Sequence, residues 1–139
     1  MYSIQLIPKE KLEIILPFLK LLSPKRSIKT LHERLIEMIS EKYECVGVYD
    51  QDKLIGISGM WFLTKYYIGK HIEPDNVFIL PEYQGKGVGK LLMNWIFEYA
   101  KSKGCKASEL NCYINNKKGQ KFWENQGYEL IAYHYQKKI

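Results

Sequence analysis

The stretch Leu80-Pro81-Glu82-Tyr83-Gln84-Gly85-Lys86-Gly87-Val88-Gly89-Lys90 joins an apolar run to a strongly amphipathic segment, and its reading decides the fold. Downstream, Val88, Leu91, Leu92, Trp95, Ile96 and Tyr99 trace one apolar stripe at helical spacing until Gly104 stops it. Upstream, the residues from about Asn76 to Leu80 are apolar and end at Pro81, so the glycines lie between a strand and a helix. The first N–H groups of a helix have no intrahelical partner. Glycines let that backbone approach a ligand closely, and the helix dipole together with Lys86 and Lys90 favours an anion there.

Toward the N-terminus, Ile4 to Leu6 reads as a short strand and Lys9 to Leu22 as a helix. Leu12, Ile15, Leu16 and Leu19 recur in it at helical spacing, and Pro17 kinks or breaks it. A second helix carries Leu31, Leu35, Ile36 and Ile39 on one face, with Glu33, Glu37 and Lys42 turned away. Tyr43 to Tyr49 and Leu54 to Thr64 read as strands joined by a hairpin turn at Asp50-Gln51-Asp52-Lys53. Toward the C-terminus, Ala107 to Ile114 reads as a strand, Lys118 to Asn125 as a short helix closed by Gly127, and Tyr128 to Gln136 as a final strand. The order βααβββαβαβ predicts an α/β (α+β) sheet with helices on its faces. No repeat, low-complexity tract or linker interrupts residues 1–139, which read as a single domain.

A hydrophobic fraction of 46% and eleven tyrosines in 139 residues supply a core without disulfides or metal staples. Cys45, Cys105 and Cys112 are odd in number and lack C-x-x-C spacing, and His32, His71 and His134 are scattered, so no metal is expected. The N-terminus has no basic segment followed by an apolar one, and no apolar stretch approaches a membrane span, so a cytoplasmic protein with no membrane partner is expected. The net charge of +6 favours anionic partners, but the basic residues are dispersed and match no nucleic-acid-binding motif.

Three phosphate loops can be compared with the letters. A P-loop requires G-x-x-x-x-G-K followed by Ser or Thr, whereas Gln84 stands at the first glycine and Leu91 at the hydroxyl position. The dinucleotide fingerprint G-x-G-x-x-G places its third glycine one position later than Gly89. The pattern Q-x-x-G-x-G fits at Gln84, Gly87 and Gly89, and here the chain resembles the acetyl-CoA pyrophosphate loop of the GNAT superfamily of N-acetyltransferases. A second segment, Asn116-Lys117-Lys118-Gly119-Gln120-Lys121-Phe122-Trp123-Glu124-Asn125-Gln126-Gly127-Tyr128, is similar to that superfamily's C-terminal signature N-x-x-A-x-x-F-Y-x-x-x-G-F.

The resemblance implies a mixed, splayed central sheet flanked by helices, with the pantetheine arm of acetyl-CoA lying in the splay and an amine acceptor entering from the opposite side. Carried over, Gln84, Gly85, Lys86, Gly87, Val88, Gly89 and Lys90 would bind the pyrophosphate, Asn116 and Phe122 would border the arm, and backbone N–H groups of Phe78, Ile79 and Leu80 would hydrogen-bond it. One of these, taken as Ile79, would polarise the thioester carbonyl, a role worth roughly 10²–10³ in rate. The amine would attack directly, with Asp75 first and Glu73 second as the base. The implied acceptor is a small-molecule or peptide amine and the assembly a monomer or homodimer. Trp123 stands where the family keeps a tyrosine acid, which leaves a non-catalytic acyl-CoA sensor as the alternative; Tyr113, Tyr128 and Tyr133 are substitute acids. Trp61, Phe62, Tyr66 and Tyr67 would line the acceptor cleft or pack in the core.

Overall fold

A computed structural model describes all residues 1–139. Its strands are β1 (Tyr2–Leu6), β2 (Glu44–Asp50), β3 (Lys53–Lys65), β4 (Gly69–Ile79) and β5 (Ala107–Ser108), and its α-helices are α1 (Leu16–Leu22), α2 (Ile28–Ser40), α3 (Val88–Ser102) and α4 (Lys117–Asn125). The five strands form one sheet in the order β1-β2-β3-β4-β5, antiparallel except for the β4–β5 pair. No helix is long and apolar enough to cross a membrane.

Local chemistry sets the boundaries. The expected first helix is divided: Lys9–Ile15 is a 3₁₀ segment, and α1 begins at Leu16 with Pro17 in its first turn, where a missing N–H costs nothing. Ser27 caps α2 by accepting a hydrogen bond from the Thr30 N–H at 3.1 Å. Alternation along the strands sends side chains to two faces. One face gathers Leu12, Ile15, Phe18, Leu31, Leu35, Tyr43 and Ile57 beneath α1 and α2. The other gathers Val46, Val48, Ile55, Met60 and Ile72 beneath α3, which contributes Val88, Leu92, Met93, Ile96 and Ala100. Within the expected α3 stripe, Leu91 turns out to solvent and Met93 turns in.

Three strand boundaries differ from the sequence reading. β4 starts at Gly69 rather than near Asn76. β5 stops at Ser108 instead of reaching Ile114, because the chain diverges from β4 after the Glu109 N–H bonds to the Ile72 carbonyl at 3.0 Å. The final strand over Tyr128–Gln136 is not formed: the last backbone hydrogen bond of the chain is Tyr128 N–H to Trp123 O, and a strand without a neighbouring backbone is not a ladder. The observed order is therefore βααβββαβα, with the 3₁₀ segment ahead of α1.

Candidate active site

The glycine loop runs from the end of β4 through a 3₁₀ turn, Pro81–Tyr83, into α3. Gly85 and Gly87 have φ of 74° and 78°, a left-handed conformation that side-chain-bearing residues adopt only at a cost. Gly87 is the N-cap of α3 and supplies no side-chain cap. The first intrahelical bond is Leu91 N–H to Gly87 O, so the N–H groups of Val88, Gly89 and Lys90 precede the helical ladder. Gly89 has a separate reason: a Cβ there would stand 3.0 and 3.1 Å from two ring carbons of Phe122, whereas around Gly85 and Gly87 there is nothing within 4 Å. Gln84 does not reach into the loop's opening. Its Nε2 donates back to the Ile79 carbonyl at 2.9 Å and clamps the loop onto β4.

Upstream, β4 is irregular in a way that determines which backbone groups are free. Phe78 pairs with Ile57 and Asp75 with Gly59, so three steps on β4 oppose two on β3 and one residue is bulged. Asn76 takes up the bulge with φ of 42°. Before it, Ile72 turns its carbonyl toward β5; after it, Leu80 gives its N–H to Ile55 O on β3 at 2.9 Å, and Phe78 faces the same way. Leu80 and Phe78 are thus engaged with β3, and Val77 and Ile79 turn to the opposite edge. That edge has no neighbouring strand beyond Ile72. Pro74 offers no N–H, and the Asn76 N–H is taken by Asp75 Oδ1 at 2.8 Å. Two adjacent outward donors, Val77 and Ile79, remain along the splayed edge. Val77 was not identified from sequence, because only the bulge reveals the change of parity.

The carboxylates lie on the face of the sheet opposite Ile72 and α3. Asp75 Oδ2 accepts from the Trp61 indole N–H at 2.9 Å and its Oδ1 caps Asn76, so both oxygens hold the bulge in shape. Asn76 Oδ1 in turn accepts from the Tyr43 hydroxyl at 2.9 Å, while its Nδ2 is buried without a partner. Burial drives the Tyr43 phenol far above its ordinary value, so it stays a donor. Glu73 is placed differently. Its Oε2 lies 2.9 Å from Nε2 of His71, a fully buried imidazole whose Nδ1 lies 3.2 Å from Gly69 O. Glu109 Oε1 lies 3.7 Å from the same Nε2 and accepts from the Tyr67 hydroxyl at 2.6 Å, a bond that raises the Tyr67 phenol.

His71, Glu73 and Glu109 therefore meet at the point where β4 and β5 part, with ligand-capable atoms all within 4.8 Å of one another. Their residue types could hold a cation, although mutual hydrogen bonds already engage them. In the sequence His71 counts only as one of three scattered histidines; its i, i+2 spacing from Glu73 on one strand is the available signal. The four aromatic candidates separate. Trp61 packs against Tyr43 with centroids 5.1 Å apart and planes tilted by 58°, Phe62 packs on Tyr99 on the other face, Tyr66 is fully exposed, and Tyr67 serves Glu109.

In the C-terminal motif, Asn116 Oδ1 caps α4 by accepting from the Gly119 N–H at 2.9 Å. A Cβ at Gly119 would come within 2.4 Å of the Asn116 amide, so the cap and the glycine go together. Phe122 packs on Gly89 and, edge-on at 4.9 Å, on Trp123, which itself packs edge-on against Tyr128 at 5.5 Å. The Trp123 indole belongs to that aromatic stack. Tyr128 bonds Ser108 Oγ at 2.6 Å, and burial raises its phenol, whereas Tyr113 and Tyr133 are exposed.

Known proteins place this architecture. The aminoglycoside N-acetyltransferase AAC(6′)-Iy, solved with a CoA-based bisubstrate analogue, superimposes with a TM-score of 0.84 at 19% identity over 100% of this chain and 99% of that one. A ribosomal-protein-alanine N-acetyltransferase from Brucella melitensis biovar Abortus 2308 gives 0.83 at 17% identity, again over 100% and 99% of the two chains. At such identities the likeness is one of fold. By sequence, a thialysine N-epsilon-acetyltransferase of Sus scrofa is 27% identical over 90 residues, 65% of this chain and 53% of that protein, so the matched region spans about half the relative's length. The family model described as Acetyltransferase (GNAT) family matches residues 13–128. With the glycine loop, the splayed β4 edge and the capped C-terminal motif in place, the chain belongs to the GNAT acetyltransferase family.

Proposed function

We propose that the chain transfers the acetyl group of acetyl-CoA to a primary amine by direct attack in a ternary complex. The observation that carries this reading is the pair of outward N–H groups, Val77 and Ile79, on a strand edge that leads into the left-handed Gly85–Gly87 turn. A pantetheine arm laid along that edge takes the place of the missing strand, with the pyrophosphate at the N-terminus of α3.

The positions along β4 divide the work. Ile79 lies six residues from Glu73, about 20 Å at the strand rise, which is beyond proton transfer from an amine reacting at Ile79. Ile79 accordingly holds the arm, and the thioester carbonyl lies at the bulge against the Val77 N–H. Glu73, about 13 Å from Val77 along the strand, takes the ammonium proton through a relay of several waters and is oriented by His71. Asp75 maintains the bulge, since both of its oxygens are already engaged as hydrogen-bond acceptors. A packed Trp123 provides no acid, so the CoA thiolate leaves unassisted or is protonated by Tyr128.

Following free CoA release across a panel of diamines, amino acids, aminoglycosides and peptides tests the activity; acetyl-CoA binding without turnover on any of them would favour the sensor reading. On an active amine, Glu73→Gln should lower kcat/KM about 10²-fold at pH 7 and recover as the pH approaches the amine pKa of ~10.4. Asp75→Asn should lower activity without changing the shape of the pH profile. Interchanged profiles would return the base role to Asp75.

A further inference from the structure

The imidazole of His71 is fully buried, and both of its nitrogens face acceptors. Nδ1 lies 3.2 Å from Gly69 O, and a carbonyl only accepts, so Nδ1 carries the ring hydrogen. A neutral ring then turns its Nε2 lone pair toward Glu73 Oε2 at 2.9 Å and Glu109 Oε1 at 3.7 Å. Three acceptors aimed at one another repel unless a proton or a cation stands between them. Neither carboxylate makes an ion pair with a lysine or arginine, although the chain has 21 of them.

The arrangement suits a metal ion. In a tetrahedral site with bonds of about 2.0–2.1 Å, ligand atoms stand about 3.3 Å apart. The two separations at Nε2 fall on either side of that value, and the three ligand atoms lie within 4.8 Å of one another. The outer hydrogen bonds that orient metal ligands are also in place: Nδ1 on Gly69 O, and the Tyr67 hydroxyl on Glu109 at 2.6 Å. His71 and Glu73 share one face of β4, and the Glu109 N–H is fastened to Ile72 O at 3.0 Å. The Glu73 and Glu109 side chains are 21% and 20% exposed, which leaves a path inward and coordination positions for water. One imidazole nitrogen and two carboxylates favour a borderline cation such as Zn²⁺ over Mg²⁺, which prefers oxygen and keeps its waters. The His32–Glu13 pair has the same 2.9 Å separation, but it gains no third ligand and both side chains are open to solvent.

We propose that His71, Glu73 and Glu109 bind one Zn²⁺ ion where β4 and β5 part, and that the ion blocks acetyl transfer by occupying Glu73. The binding stands on the geometry of the cluster. The block rests on the base role proposed for Glu73.

The test uses the full chain, stripped with a chelator. Titration calorimetry with ZnCl₂ should show one site, MgCl₂ should show none, and Co²⁺ in the same site should give the visible absorption of low-coordinate cobalt. Glu109→Gln, which keeps an acceptor for Tyr67, and Glu73→Gln should each raise the Zn²⁺ Kd at least about tenfold while retaining the circular dichroism of the parent. His32→Gln should leave that Kd unchanged. In initial rates of acetylated product, zinc should inhibit with a midpoint at the calorimetric Kd, and Glu109→Gln should move the midpoint by its own factor in Kd, relative to its own zinc-free rate. The site is overturned by an absence of zinc binding, which would leave a proton between the acceptors, by Mg²⁺ binding as tightly as Zn²⁺, or by a zinc Kd unchanged in both variants. One-site binding without inhibition of an active chain overturns the block and removes Glu73 from the base role. A chain that turns over no amine fails the acetyl-transfer reading, and the calorimetry still decides the site.

Discussion

Gly87 and Gly89 are one dipeptide step apart in the motif, but they have different jobs and should respond differently to substitution. Gly87→Leu puts a side chain into open space at φ of 78°, at a folding cost of about 1–2 kcal/mol that a domain of this size tolerates. The same side chain occupies the approach to the Val88–Lys90 N–H groups, so the Kd for acetyl-CoA, measured by titration calorimetry, should rise at least about tenfold. Gly89→Ala instead presses on the Phe122 ring and should cost stability of about 1–3 kcal/mol in urea. Equal loss of binding and stability in the two variants would contradict the division. The letters Q-x-x-G-x-G made the strand-to-helix turn legible, but not which glycine is open to solvent and which serves the packing, because Phe122 lies far along the chain. A third residue sets an alkaline limit. Burial pushes the Cys45 thiol up to about 12, against hydrogen bonds from Tyr43 and Ser58 that lower it. The unfolded thiol loses its proton near 9.0, where the folded one retains it, so this stabilisation is intact below pH 9 and is lost between about 9 and 12. Urea midpoints for Cys45→Ala should fall less steeply above pH 9 than those of the parent.

At the scale of elements, the bulge in β4 connects the fold to the proposed chemistry, and Gly59 leaves room for it. A Cβ at Gly59 would come within 2.3 Å of the Tyr43 hydroxyl oxygen and 2.5 Å of Asn76 Oδ1, the pair that holds the bulge from below. Gly59→Ala should therefore destabilise by about 1–3 kcal/mol and reduce turnover by more than that loss of folded protein accounts for, as the Val77 donor shifts. Activity per folded molecule, taken from chemical denaturation alongside rates, separates the two effects. The helices were legible because their apolar periodicity reports the face they bury. β4 was half legible: Lys70, His71, Glu73 and Pro74 interrupt any apolar run, but Pro74 is tolerated because its side of the strand has no partner to receive an N–H. The bulge itself leaves no mark in a single sequence, since Asn76 with positive φ reads the same as any turn asparagine. The final strand was over-read for a related reason. The strand-forming character of Tyr128 to Gln136 is real, but propensity does not say whether a neighbouring backbone is present.

The molecule as a whole is a sheet opened on one side, with α1 and α2 over one face and α3 over the other, and a net charge of +6. Its unfilled edge and its charge make two separate demands on a ligand. On the proposed reading, the edge would take a chain that accepts from Val77 and Ile79, and the helix terminus with Lys86 and Lys90 would take phosphate. Acetyl-CoA would meet both, whereas acetyl-pantetheine would meet only the first. Because the cofactor binds only the folded chain, acetyl-CoA at a hundred times its Kd should add about 2.7 kcal/mol to stability and raise Tm by about 8–12 °C for a chain of this length. Acetyl-pantetheine at the same concentration should leave Tm nearly unchanged, since an arm on two hydrogen bonds gains little over water. Raising salt should erode the acetyl-CoA shift, because its anionic half is screened while its arm is not. Gly87→Leu, with its Kd raised at least about tenfold, should cut the shift to about half or less at every salt concentration. A shift from acetyl-pantetheine as large as that from acetyl-CoA would move the source of affinity to the strand edge and remove the glycine loop from cofactor binding.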